Sequence, residues 1–314
     1  MISDPASATA NTESLNYQAQ FQQRWPRLTQ AHVRSLAWLL DAPGLLNVDH
    51  ARWNEQVAQL PSLTPQVEDW LQTLDNAPEP LIEFLALHPH TRLGHYAENL
   101  LAFYFKWRNQ LHAHSLQVRS TTTIGEFDFL LTMPNGLEHW EFACKFYLLV
   151  KPEGALSNYV GPNLMDNFDE KSRKIMQAQL ALGQHAAAQS YLTEPLTAAK
   201  ALIKGWLFYP ANSTPALPEI TPQHCRGLWC RVSELTRFGS LNFSELARLE
   251  WLAPARVKST QLITGAELQT KLQQQFALDF RPVLVAQVER VDTESDAFIE
   301  VQRVFVVPDN WNED

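Results

Sequence analysis

Glu126, Asp128, Glu141 and Lys145 fall within twenty residues of one another, and their types and spacing could serve one reaction. Carboxylate oxygens are the hard ligands Mg²⁺ accepts, and such sites commonly use one or two of them with room left for water and a substrate phosphate. A lysine on the same face could orient or deprotonate the attacking water, which makes phosphodiester hydrolysis the chemistry to expect. Lys145 is the candidate for that role. Glu126 reads equally as an auxiliary ligand or as an ion-pair partner of Lys145.

For these groups to meet, a hairpin must hold them. In Ile124–Leu131 phenylalanines alternate with carboxylates, a strand pattern, and Met133-Pro134-Asn135-Gly136 reads as a turn with Pro second and Gly fourth. From His139 to Leu149 the alternation resumes. Trp140, Phe142, Cys144, Phe146 and Leu148 fall on one side, and His139, Glu141, Ala143, Lys145 and Tyr147 on the other. If Met133–Gly136 is a four-residue loop, Thr132 pairs with Leu137 and Asp128 lies opposite Glu141, with Cβ atoms roughly 4.5–5.5 Å apart. Two carboxylates so placed could share a divalent cation. A loop of Asn135-Gly136 alone would set Asp128 against Ala143 and Glu126 against Lys145. Either register keeps the acids on one face, whereas a three-residue loop would mix the faces.

Around this hairpin the apolar period is helical from Tyr17 to about His88 and again from about Arg92 to Gln110, with Glu98 beside the apolar face of the second stretch. A breaker-rich loop, Val150–Asn163, leads to an expected helix over 164–188, with Asn163 as its expected N-cap and Lys171 and Lys174 as expected phosphate contacts or a solvated face. Strands are expected over 201–209, 228–235, 282–291 and 298–307, helices over 243–249 and 265–276, and a proline-rich loop over 210–222.

Gly94-x3-Glu98, Gly125-Glu126-Phe127-Asp128, a hairpin and Glu141-x3-Lys145 together resemble the Holliday-junction-resolvase branch of the PD-(D/E)XK nucleases. The longer pattern, with Glu141–Leu148, Gly161-Pro162-Asn163 and Phe305-Val306-Val307-Pro308, resembles a bacterial family of unknown function placed in that superfamily. The resemblance implies an α/β fold, a restriction-endonuclease-like mixed sheet flanked by helices, with a helical N-terminal extension. It implies Mg²⁺ or Mn²⁺ held by Asp128 and Glu141 with Glu98 assisting from its helix, and Lys145 serving the water. Nucleic acid, DNA in the first instance, would be the partner. The superfamily usually separates its acid and lysine by two residues; here Ala143 takes the acid's place, which stretches the separation from roughly 7 Å to roughly 13 Å. A leaning lysine, a bulge or migrated acids would restore the site. The alternative is a catalytically degenerate fold acting as a nucleic-acid- or protein-binding scaffold.

The chain's 314 residues, 45% hydrophobic, can bury a substantial core. The organisation expected is a disordered leader (1–15), a helical subdomain (16–90), the nuclease-like core (91–210) and an α+β extension that completes or packs on it (211–314). No stretch is apolar enough to span a membrane. Three cysteines make no disulfide framework, so a reducing cytoplasm is expected. A net charge of −9 argues against a general nucleic-acid coat protein, though a local basic strip suffices to steer DNA. His139 reads as a surface or packing residue on the acidic face. His88/His90, His112/His114 and Cys225/Cys230 lack zinc-site spacing, and no Gly-rich phosphate loop points to ATP.

Overall fold

The computed structural model describes residues 16–211, 213 and 215–313; the leader expected at 1–15 lies outside them. Helix α1 (Tyr17–Arg24) begins where the Asn16 side chain accepts from Ala19 N at 2.9 Å. Helices α2 (Ala31–Asp41), α3 (Pro65–Asn76) and α4 (Glu79–Leu87) follow. Proline in the first turn of α3 and of α4 costs no hydrogen bond there. Helix α5 (Leu93–Trp107) buries Leu93, Ala97, Leu100, Leu101 and Tyr104 on the face its periodicity marks out.

The sheet contains β1 (Leu111–Arg119), β2 (Thr123–Met133), β3 (Gly136–Leu149), β4 (Tyr159–Val160), β5 (Leu196–Tyr209), β6 (Cys225–Arg231), β7 (Asn242–Glu245), β8 (Arg256–Lys258), β9 (Ile263–Thr264), β10 (Val283–Arg290) and β11 (Ala297–Val307). Its spatial order is β1-β2-β3-β5-β6-β11-β10-β7-β9, with β4 on β3 and β8 on β11. β1, β2 and β3 form an antiparallel meander. The chain then crosses over to lay β5 parallel to β3, and β6 and β11 continue parallel. This is a large mixed sheet with helices on its faces and a helical region before it. One core runs from Phe21 in α1 to Trp311 and covers the face under α1–α5. A second core, under α6 (Phe168–Lys174), holds Ala143, Tyr147, Phe168 and Ile203, and a third lies under α7 (Gly265–Phe276).

Several elements differ from expectation. The hairpin keeps the register in which Thr132 faces Leu137, but Met133 pairs with Gly136, so the loop is two residues, Pro134-Asn135, rather than four. The helix expected over 164–188 is broken: α6 ends at Lys174, a π turn spans Ile175–Gln179, and 3₁₀ turns cover Leu180–Gln184 and Ala186–Tyr191. Packing overrides helical propensity here, since Ile175, Leu180 and Leu182 point into two different cores. The N-cap of α6 is Asn167, whose side chain accepts from Glu170 N at 2.9 Å, not Asn163. Residues 243–249 contribute strand β7 and a 3₁₀ turn instead of a helix, because Phe243–Glu245 pair with β10. The strand expected over 228–235 ends at Arg231 and passes into a 3₁₀ turn. Strand β1 was not expected at all; of its apolar residues only Val118 is buried, and the polar residues between them are mostly exposed.

Candidate metal centre

β2 and β3 pair as far as Phe129 and Trp140, and there the ladder ends. Beyond that point Asp128 turns its carboxylate into the gap, where Oδ2 accepts from Phe142 N at 2.8 Å. On the other side, β1 kinks at Ser115, whose φ of 49° is left-handed and which falls between the pairs Leu116–Phe127 and His114–Phe129. The simple two-residue alternation therefore breaks at Asp128. Phe127 packs with Leu130, while Phe129 packs edge-on against Phe105 of α5, 5.3 Å away.

Into this distortion α5 delivers Glu98, whose Oε1 accepts from Ser115 Oγ at 2.8 Å and lies 2.9 Å from His114 Nε2. Glu98, Glu126 and Asp128 each place an oxygen so that the three lie within 4.8 Å of one another. Glu141 belongs to the same acid cluster through contact with the Asp128 carboxyl, but its oxygens are held from the protein side. Oε1 is 3.0 Å from His139 Nε2 and Oε2 accepts from Gln179 Nε2 at 2.6 Å. His139 is fully buried, and burial lowers it to about 4, so it stands neutral, donating from Nε2 while buried Nδ1 has no partner among the described residues. It is a packing residue that positions Glu141.

The electrostatics fit a cation. Burial first, then the charges of Glu141, Glu98 and Glu126, push the Asp128 carboxyl well above the ordinary carboxylate range. Burial raises Glu141 too, and the strongest opposing pull on it comes from Lys171. Like charges gathered this closely repel unless a cation or a proton intervenes.

The two lysines have different partners. Lys145 does not meet Glu126, which instead accepts from Gln117 Nε2 at 3.3 Å. Lys145 Nζ binds Asp166 Oδ2 at 2.7 Å, and Tyr147 OH donates to the same oxygen at 3.1 Å. Gly161-Pro162-Asn163 is the turn that permits this, since a Cβ on Gly161 would lie 2.5 Å from Asp166 Oδ1. Lys171, on α6, is half-buried and donates to Gln179 Oε1 at 3.4 Å, the same amide that holds Glu141. Burial, then Lys145 and Lys174, lower its pKa, while Glu141 and Asp128 pull it back. Lys174 is exposed. The signal missed in the sequence was Gln179, eight residues beyond Lys171 and outside every motif considered.

The histidine pairs hold no joint site: His114 meets Glu98, His88 stacks on Phe84 at 4.2 Å, and His112 Nε2 is 3.3 Å from Thr193 Oγ1. All three cysteines are free thiols. No helix among the described residues is long and apolar enough to cross a membrane.

Fold and site together define a mixed α/β protein with a half-buried acid cluster at the mouth of a broken strand pair. Residues 34–307 match the model of the family described as a domain of unknown function, DUF1853, and the chain belongs to that family. No curated protein and no solved structure matches it.

Proposed function

We propose that the protein is a metal-dependent nuclease of the restriction-endonuclease-like class, hydrolysing phosphodiester bonds in nucleic acid. The observation that carries this reading is the convergence of Glu98, Glu126 and Asp128 within 4.8 Å, with Glu141 touching Asp128. The order helix α5, meander β1–β2–β3, crossover through α6 and parallel β5 supports the same class. A hard divalent cation, Mg²⁺ or Mn²⁺, fits the all-oxygen donor set, and when bound it supplies Lewis-acid stabilisation of charge on the phosphate and leaving oxygen. Asp128, Glu98 and Glu126 would hold it. Glu141, fixed by His139 and Gln179, closes the site from β3. Lys171, with its pKa lowered by burial, is the group suited to take a proton from water, and Lys145 acts at a distance, by anchoring Asp166 and with it the start of α6.

A second reading, a retained fold that binds without cutting, is favoured by one observation: both Glu141 oxygens already have protein partners. The two readings part when a mixed panel of single- and double-stranded DNA and RNA is incubated with protein and Mg²⁺ or Mn²⁺. Cleavage that disappears in Asp128→Asn supports the nuclease. Calorimetric metal binding that is absent, or indifferent to Asp128→Asn, leaves the scaffold.

A further inference from the structure

On the β2 side of β3, residues 141–147 have no partner strand among the described residues, because β2 pairs only as far as Trp140 and β4 begins at Leu148. Backbone polar groups alternate in direction along a strand, so those of Cys144 and Phe146 point the same way as Phe142 N, into the opening. A cleft of about 770 Å³ lies against this edge. Its lining bears four cations, Arg92, Lys145, Arg248 and Arg281, and two carboxylates, Asp166 and Asp279, a local excess of positive charge in a chain whose net charge is −9. Lys145 and Arg281 are neutralised inside the cleft, by Asp166 at 2.7 Å and Asp279 at 2.5 Å. Arg92 and Arg248 form no ion pair among the described residues. The Arg248 guanidinium carbon sits over the Trp251 ring, 4.2 Å from its centroid, and its N–H groups have no hydrogen-bond partner among the described residues, so they can meet an anion. Met165, 86% exposed, lines the cleft, and Phe280, 61% exposed, is the residue between two lining residues, Asp279 and Arg281.

We infer that this cleft binds a single-stranded stretch of nucleic acid, its phosphates on Arg92 and Arg248 and a base stacked on Phe280, leading into the acid cluster. The inference rests on the nucleic-acid reading of that cluster and names the form of its substrate. Continuity is given by α5: Gly94 lines the cleft, and Glu98 stands one turn, about 6 Å, further along the helix. The cleft's volume falls in the range of roughly 300–1,000 Å³ that encloses small ligands, which suits a few unpaired nucleotides better than a duplex. Cationic grooves interleaved with exposed aromatic surface are the general means of holding single strands, because every base offers a π face.

The test is fluorescence anisotropy with full-length protein, a labelled oligothymidylate and a blunt duplex of equal length, in EDTA so that no metal chemistry contributes. Wild type is expected to prefer the single strand. Arg92→Ala/Arg248→Ala should weaken that binding about tenfold and reduce the slope of log K against log salt by about 1.4, the loss of two single-strand phosphate contacts. Phe280→Ala should diminish the preference for single strand over duplex. Both arginines are exposed, so melting temperature should hold; if Arg248→Ala unfolds, Arg92→Glu alone must show the weakened binding and the shallower slope. Duplex bound as tightly as single strand, or salt slopes identical in variant and wild type, overturns the inference. The outcomes separate the two readings: binding with these dependences but no cleavage in Mg²⁺ defeats the nuclease and leaves the cleft. Metal-dependent cleavage with binding indifferent to both arginines defeats the cleft alone.

Discussion

At the scale of single residues, the proposed function divides between Lys171 and Lys145 the work the sequence pattern gives to one lysine. Lys171→Met should leave metal binding by calorimetry intact and reduce cleavage by roughly 10²–10⁴, the range for a positioned acid–base group. Lys145→Met should act through Asp166 and lower the melting temperature, with a smaller effect per folded molecule. Equal activity losses with no change in melting for Lys145→Met would return the catalytic role to β3. The acids make a second prediction. Asp128 and Glu141 titrate in the folded protein above their ordinary values, so the stability they allow is fully present at pH below about 4 and is lost as pH rises through the raised range. Metal-free protein should therefore lose stability between mildly acid and neutral pH, and Mg²⁺ should restore more of it at the upper end. Asp128→Asn should flatten that slope; denaturant titrations in EDTA, with and without the substitution, measure it.

At the scale of elements, the positions of β3 and β5 depend on one glycine. Gly205 has φ +152°, and a Cβ there would lie 1.7 Å from Lys145 O, its partner across the parallel pair. Gly205→Ala should destabilise by more than about 3 kcal/mol, since the clash is with backbone that cannot rotate away. A melting temperature within a degree or two of wild type would mean that the strands separate easily there. What could be read in the sequence follows the same physics. α5, β2, β3, β10, β11 and α7 carry long, clean periods and were legible to within a few residues. The β2–β3 register was narrowed to two, of which the structure takes the one with Thr132 opposite Leu137, because a slip of one residue would have turned the acids to the wrong face. β7 was not, since a four-residue run cannot distinguish a period of 2 from one of 3.6. Nor was the breaking of the 164–188 helix, which is imposed by where Ile175, Leu180 and Leu182 must pack. At the site, Asp128, Glu98 and Glu126 were legible as motif residues. The left-handed Ser115 and the Lys171–Gln179–Glu141 chain were not, because they exist only once β1 and α6 have docked.

At the scale of the molecule, strands from the last third of the chain share one sheet and one core with α1–α5, and a buried ion pair ties them to the cleft wall. Arg303, fully buried over the Trp206 ring, donates to Glu300 at 2.9 Å and to Ala253 O at 2.7 Å, and also binds Trp251 O. Glu300 in turn accepts from Ala255 N at 2.8 Å. Arg303→Met strands the Glu300 charge in the interior and should cost about 3–5 kcal/mol, read as a lower denaturant midpoint. Little change would show that water reaches the pair.

β11 is the last strand in chain order, yet it lies in the interior of the sheet, between β6 and β10, and the Asn16 side chain donates to its Val301 O at 2.9 Å. During synthesis, then, β6 and β10 must wait with open edges until residues near 307 have left the ribosome. The order of assembly is not the order of translation. Contacts that close across almost three hundred residues form slowly and leave apolar edges exposed meanwhile, a state in which chaperones are most needed. A chain halted after Asp292 should consequently be recovered as aggregate rather than as a soluble, partly folded species. If sedimentation found it monomeric with native-like circular dichroism, the first nine-tenths of the sheet would have to be capable of standing without its central strand.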